Sequence, residues 1–184
     1  MLDLTLPRGH PLYMHSVTES YRWIGEVWVA TLCDLGLAAR TVSIAEARAD
    51  SQTLSPLLRQ VCFGSLSPYE VAVGQRKTVG LAQMRRRGGA LFQCAVHLRW
   101  EPHETAMLMA ATASEQLALA RQLSERVGGL ADLLGHSVDS QAVMSSFETA
   151  LSQLAGLTLI DTEWNTLEQT ARSADLERFA AIVL

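Results

Sequence analysis

The chain has 184 residues, 48% of them hydrophobic, and a formal net charge of −4, enough to bury one core in a single domain with at most a small appendage. No run of about 18 uninterrupted apolar residues occurs, so no membrane span is expected, and the opening MLDLTLPRGHP lacks the basic and apolar regions of a secretory signal. Cys33, Cys62 and Cys94 show no CxxC or Cys/His metal spacing, so a reduced, cytoplasmic setting without a metal is expected.

Residues 3–6 alternate as a short strand does and stop at the turn cluster Pro7-Arg8-Gly9. Ser16, with Glu19 three residues on, predicts a helix start. Val17, Tyr21, Ile24, Val27, Trp28, Leu32 and Leu35 then recur at helical spacing up to Gly36. Cys33, inside this helix, reads as a small packing residue. Residues 39–44 read as a short strand, 45–56 as a loop, and 57–63 as a buried strand entering the turn 64–68.

A meander follows. Residues 69–73 alternate, Gly74-Gln75 suits a type II′ turn, 76–87 form a second strand, Gly88-Gly89 turn again, and 90–100 form a third. Beyond Glu101-Pro102 the composition shifts to helix formers, with helical spacing over 104–127, 140–154 and 164–181. The expected class is α+β: a mainly antiparallel sheet, with its meander at 69–100, packed with helices and followed by a helical C-terminal third.

Charge is unevenly spread along this plan. Residues 1–100 hold eleven Arg or Lys against seven Asp or Glu, and residues 101–184 hold four against twelve. The first part is therefore basic and suited to steering an acidic partner, unless the charge simply balances a solvated surface. Lys77 is the only lysine, beside fourteen arginines. A compact ammonium at this one place suits close approach to a carbonyl or phosphate, although an Arg-rich composition could also leave a single lysine by chance.

Pairing through Gly88-Gly89 sets Ala82 opposite Ala95 and Gly80 opposite His97. Such small residues leave either a trough for an extended ligand or a seat for a packed helix. Strict alternation puts Lys77 on the other face from Gly80, so both line one site only with a bulge near Val79-Gly80. Cys62 reads either as an exposed nucleophile or as a buried structural thiol. Cys94, opposite Gln83 in this pairing, reads as structural. Arg85, Arg86 and Arg87 form a solvated hairpin tip or a docking point for an acidic protein or a phosphate. One tip is too small a basic surface for nucleic acid.

Three segments resemble the lipoate–protein ligase and octanoyltransferase family, the biotin/lipoate protein ligase catalytic domain, and most of all its cysteine-dependent octanoyltransferases. They are Cys62-Phe63 with Ser67-Pro68-Tyr69-Glu70-Val71; Arg76-Lys77-Thr78-Val79-Gly80-Leu81-Ala82-Gln83-Met84-Arg85; and Leu91-Phe92-Gln93. The helix from Glu19-Ser20-Tyr21-Arg22 to Leu35-Gly36-Leu37 is similar as well. The family's Gly-Ser-Ala is here Gly80-Leu81-Ala82, and its Gln-His-Gly-Ser is Gln93-Cys94-Ala95-Val96. The resemblance places this chain after a strand and a glycine-rich, histidine-bearing loop of the family. It thus implies a partial catalytic domain over 1–103 and a helical extension over 104–184 packed on it.

The resemblance implies acyl transfer in protein lipoylation. Cys62 would take an octanoyl group from acyl carrier protein, and the lysine of a lipoyl domain would then receive it. Lys77 would stand beside the acyl carbonyl. Gly80, Ala82, Gln83 and Ala95 would bind the acyl chain, and Arg85, Arg86 and Arg87 would dock the partners. No cofactor is implied beyond the lipoyl or octanoyl substrate, with ATP only for a ligase. The alternative is a non-catalytic or split-enzyme relative that binds an acyl carrier protein, a lipoyl domain, or a second chain supplying the glycine-rich segment. Neither nucleic acid nor a membrane is expected as a partner.

Overall fold

In strand β5 (Gly89–Val96), Ala90, Phe92 and Cys94 are buried while the residues between them are half-buried, the period-two signature of a strand with one face on a core. The computed structural model describes residues 1–180. Around β5 it forms one five-stranded antiparallel sheet in the order β1-β5-β4-β3-β2, from β1 (Leu2–Pro7), β2 (Ala39–Thr41), β3 (Val71–Val73) and β4 (Arg76–Arg86). Helix α1 (Ser20–Asp34) lays Ile24, Val27, Trp28 and Leu32 on this face, and α7 (Ser140–Ala155) packs Phe147 on Trp28 with ring centroids 4.7 Å apart. Sheet and helices together establish the expected α+β class.

A second core lies beside the opposite face. Leu58, Val61 and Phe63 meet Ala106 of α4 (Pro102–Met109) and Leu119 and Leu123 of α5 (Ala113–Arg126), with Ala95 of the sheet against them. Short α6 (Leu130–Leu134) and α8 (Thr166–Ala180) complete the described chain. Asn165 accepts the backbone N–H groups of Leu167 and Glu168, so α8 starts two residues after the expected Trp164; the expected last position, Ala181, lies outside the described residues. Among the described residues no helix is long and apolar enough to cross a membrane.

Several local expectations change. Residues 45–53, expected as part of a loop, belong to α2 (Ile44–Thr53), which also takes the last residue of the strand expected over 39–44, because Ser43 and Glu46 satisfy each other's backbone N–H in a capping box. The strand expected over 57–63 is instead α3 (Pro56–Gln60) and a turn, since Ser55 caps Leu58 and Pro56 favours a first helical position. The single helix expected over 104–127 is broken at Ala110, where Thr112 and Glu115 cap a new start. Ser16 does accept the Glu19 N–H, at 3.3 Å, but regular helix begins only at Ser20. Cys33 faces solvent rather than the core.

The β4–β5 register also differs by two residues. Gly80 pairs with Ala95, Ala82 with Gln93, Leu81 with Cys94 and Arg86 with Gly89, so the tip is Arg87-Gly88. Gly89 belongs to the strand because a Cβ there would lie 2.2 Å from the Leu6 carbonyl oxygen, a close approach only glycine permits. A shift of two keeps every side chain on its expected face. Between β3 and β4, Val71 pairs with Val79 and Ala72 with Lys77. Thr78 is therefore the extra residue of a bulge, one position before the expected place.

Candidate active site around Cys62 and Lys77

The bulge decides the site. It turns Lys77 to the same side as Gly80, so that the Lys77 Cε lies 3.4 Å from where a Gly80 Cβ would be. From there the ammonium reaches the turn that follows α3. Its Nζ donates to the carbonyl oxygens of Ser65 at 2.9 Å and Cys62 at 3.3 Å, and it pairs with Glu70 Oε1 at 2.8 Å. Three donors thus have three acceptors. Lys77 is 2% exposed, whereas Cys62, one turn above it, is exposed.

Glu70 is the second buried charge. Besides Lys77 it accepts the backbone N–H of Ser67 at 2.7 Å and of Leu81 at 3.2 Å. Burial pushes its carboxyl above the usual carboxylate range, while the Lys77 ammonium and these two N–H groups pull the other way. The chain carries one more clamp outside the turn. Arg126 at the end of α5 donates to the Gly64 carbonyl at 2.9 Å and pairs with Asp50 of α2, whose other oxygen accepts the Leu66 N–H at 2.9 Å.

Phe63 occupies the space over Gly80. Its ring atoms lie 3.0 and 3.1 Å from the position of a Gly80 Cβ, its centroid is 4.9 Å from Lys77 Nζ, and it packs edge-to-face on His97 with ring centroids 4.5 Å apart. Burial holds the His97 imidazole below its ordinary pKa. The Gly80 end of the small-residue row is thus filled, Ala95 is half-buried beside the second core, and Ala82 is exposed. Gln83 lies on the other face, bonded to Ser20 and accepting from Arg85. Arg85 turns back onto the His15 and Ser16 carbonyls, which leaves Arg86 and Arg87 exposed at the tip.

The fold therefore brings together Cys62, Lys77, Gly80 and Ala95, and keeps Gln83 and the arginines apart from them. Glu70, Phe63, Asp50 and Arg126 are site residues that the sequence reading did not assign. Glu70 carried a signal, being the only charge in 60–75; the Asp50–Arg126 pair, 76 residues apart, carried none. Among the described residues no group of three metal-ligating side chains gathers. Chemically, the site offers an exposed thiol on a turn whose backbone is fixed from within by a buried ammonium.

A family model described as the lipoyl protein ligase A/B catalytic domain matches residues 4–152. Among curated relatives, Octanoyltransferase LipM of Kyrpidia tusciae is 30% identical over 183 residues, covering 97% of this chain and 65% of that protein. The same-named protein of an Exiguobacterium strain is 29% identical over 156 residues, covering 85% and 56%. This chain thus spans between a little over half and just under two thirds of their length. Similar solved folds include a bi-partite lipoate protein ligase from Thermoplasma acidophilum, with TM-score 0.65 and 16% identity over 91% of this chain and 55% of that one. Lipoate-protein ligase A bound with ATP gives TM-score 0.60 and 17% identity over 91% and 56%.

Proposed function

Because this chain belongs to the family of lipoyl protein ligase A/B catalytic domains, we propose that it transfers an octanoyl or lipoyl group in protein lipoylation, with Cys62 as the nucleophile. The carrying observation is the buried Lys77 ammonium bonded to the turn that exposes Cys62. The octanoyltransferase relatives support the same reading.

In this scheme the Cys62 thiol gives up its proton and the thiolate attacks the thioester carbonyl of an octanoyl group on acyl carrier protein. A new C–S bond forms as the carrier's thiolate leaves and takes a proton. The amine of a lipoyl-domain lysine then attacks the acyl-enzyme, the amide forms with loss of the amine proton, and Cys62 is released as thiolate. Lys77 stabilises the negative charge that develops on the acyl oxygen in both steps.

Gly80, Ala82 and Ala95 share the face that would seat the acyl chain, with Gln83 bracing the sheet behind them. Arg86 and Arg87 would meet the acidic partner, while Arg85 anchors the segment before α1. Residues 104–184 would act as the extension that clamps the Cys62 turn from outside through Arg126. A thioester donor arrives activated, so this route needs no ATP; a ligase route from free lipoate would.

One observation favours a second reading, a non-catalytic relative or one chain of a two-chain enzyme. All three Lys77 hydrogens are taken within the chain, and Phe63 fills the space over Gly80. The fold relative from Thermoplasma is itself bi-partite.

The deciding experiment is incubation with octanoyl-acyl carrier protein followed by intact mass measurement. An octanoyl adduct is expected that Cys62→Ser abolishes and that Lys77→Ala slows by about a hundredfold or more. Wild-type protein without an adduct would sink the reading of Cys62 as the nucleophile.

A further inference from the structure

An ammonium enclosed by an aromatic ring and backbone is costly unless it has a counter-charge. Glu70 supplies it, with the two side chains only 3% and 4% exposed. The same carboxylate ties together three parts of the site: β4 through the Leu81 N–H, the Cys62 turn through the Ser67 N–H, and Lys77 itself. The residue before it, Tyr69, adopts φ 67°, a left-handed conformation that a bulky side chain enters only when its surroundings impose it. Its hydroxyl donates to Glu19 at 2.9 Å, so the backbone that aims Glu70 inward is itself anchored on the start of α1.

We propose that Glu70 is the positioning residue of the acyl-transfer site, a role that rests on the acyl-transfer reading above. It touches no acyl group. It holds the Lys77 ammonium in place and fixes the Cys62 turn against β4. Of the three Lys77 contacts, the one to the Cys62 carbonyl is the longest, at 3.3 Å, and the geometry makes it the one that an incoming acyl carbonyl replaces. Glu70 and Ser65 then keep the ammonium from following the substrate out.

Lys77 is the only lysine in the chain, which gives this proposal a clean readout. Protein labelled with 15N-lysine yields one side-chain ammonium signal, visible at neutral pH only while its hydrogens are protected from solvent exchange. The wild type is expected to show it, the near-isosteric Glu70→Gln to lose it, and Glu70→Asp to recover part. The maximal rate of Cys62 acylation should fall about a hundredfold in Glu70→Gln with KM unchanged, again with partial recovery in Glu70→Asp. A Glu70→Gln protein that keeps the ammonium signal, or loses it yet acylates at the wild-type rate, overturns the proposal. If Glu70→Gln does not fold, Glu70→Asp decides by the same two readouts. Wild-type protein that never acylates sinks the acyl-transfer reading instead, while the ammonium signal, which needs no acyl donor, still reports whether Glu70 holds Lys77.

Discussion

The three cysteines stand in three different surroundings. Burial pushes the Cys94 thiol up to about 11, whereas Cys33 and Cys62 are exposed. Iodoacetamide at pH 8 should therefore add two groups to the native protein and a third only after denaturation, counted by mass. His97 gives a pH signature. Burial lowers its folded pKa below the unfolded value, so its neutral form contributes stability that is complete above the ordinary histidine pKa and is lost as pH falls through the folded value. The urea midpoint should drop on acidification below about pH 6.5, and His97→Phe, which keeps an aromatic ring beside Phe63, should remove part of that drop. At this scale the sequence was partly legible. Lys77 stood out as a lone lysine, whereas Glu70, the one charge in an uncharged stretch, was not singled out. That the two pair could not be read, because a one-residue bulge determines which face Lys77 takes.

At the scale of elements, periodicity found the five strands of the sheet and helices α1 and α7, added a strand over 57–63 that is not there, and required a bulge before the site could close. Where helices were misread, capping chemistry outweighed apolar pattern: Ser43 with Glu46, Ser55 with Pro56, Thr112 with Glu115. The hairpin slip came from treating both glycines as turn residues, when one of them lies under the neighbouring strand's carbonyl. Gly89→Ala should therefore cost about 1–3 kcal/mol by forcing β1 from β5. Gly88→Ala, with open space around the new Cβ, should stay within about 0.5 kcal/mol. Urea unfolding followed by circular dichroism distinguishes the two.

Over the whole molecule there are two cores, one under α1 and α7 and one under α3, α4 and α5, and the Cys62 turn belongs to the second through Val61 and Phe63. Arg126 ties that turn to α2. Arg126→Ala should speed amide exchange at Leu66, whose partner Asp50 loses its cation, and leave exchange in α1 unchanged. The basic character of residues 1–100 and the acidic character of the remainder were plain from composition, but which basic groups remain free was not, since Arg85, Arg40 and Arg126 are all engaged within the chain. The enclosed Lys77 has one more consequence. A catalyst that delivers activated acyl groups to ε-amines risks marking itself and its neighbours, wasting donor on each turnover. The single ε-amine of these 184 residues is enclosed beneath the Cys62 turn, so under the proposed acyl transfer the lysine that receives the acyl group is none of them.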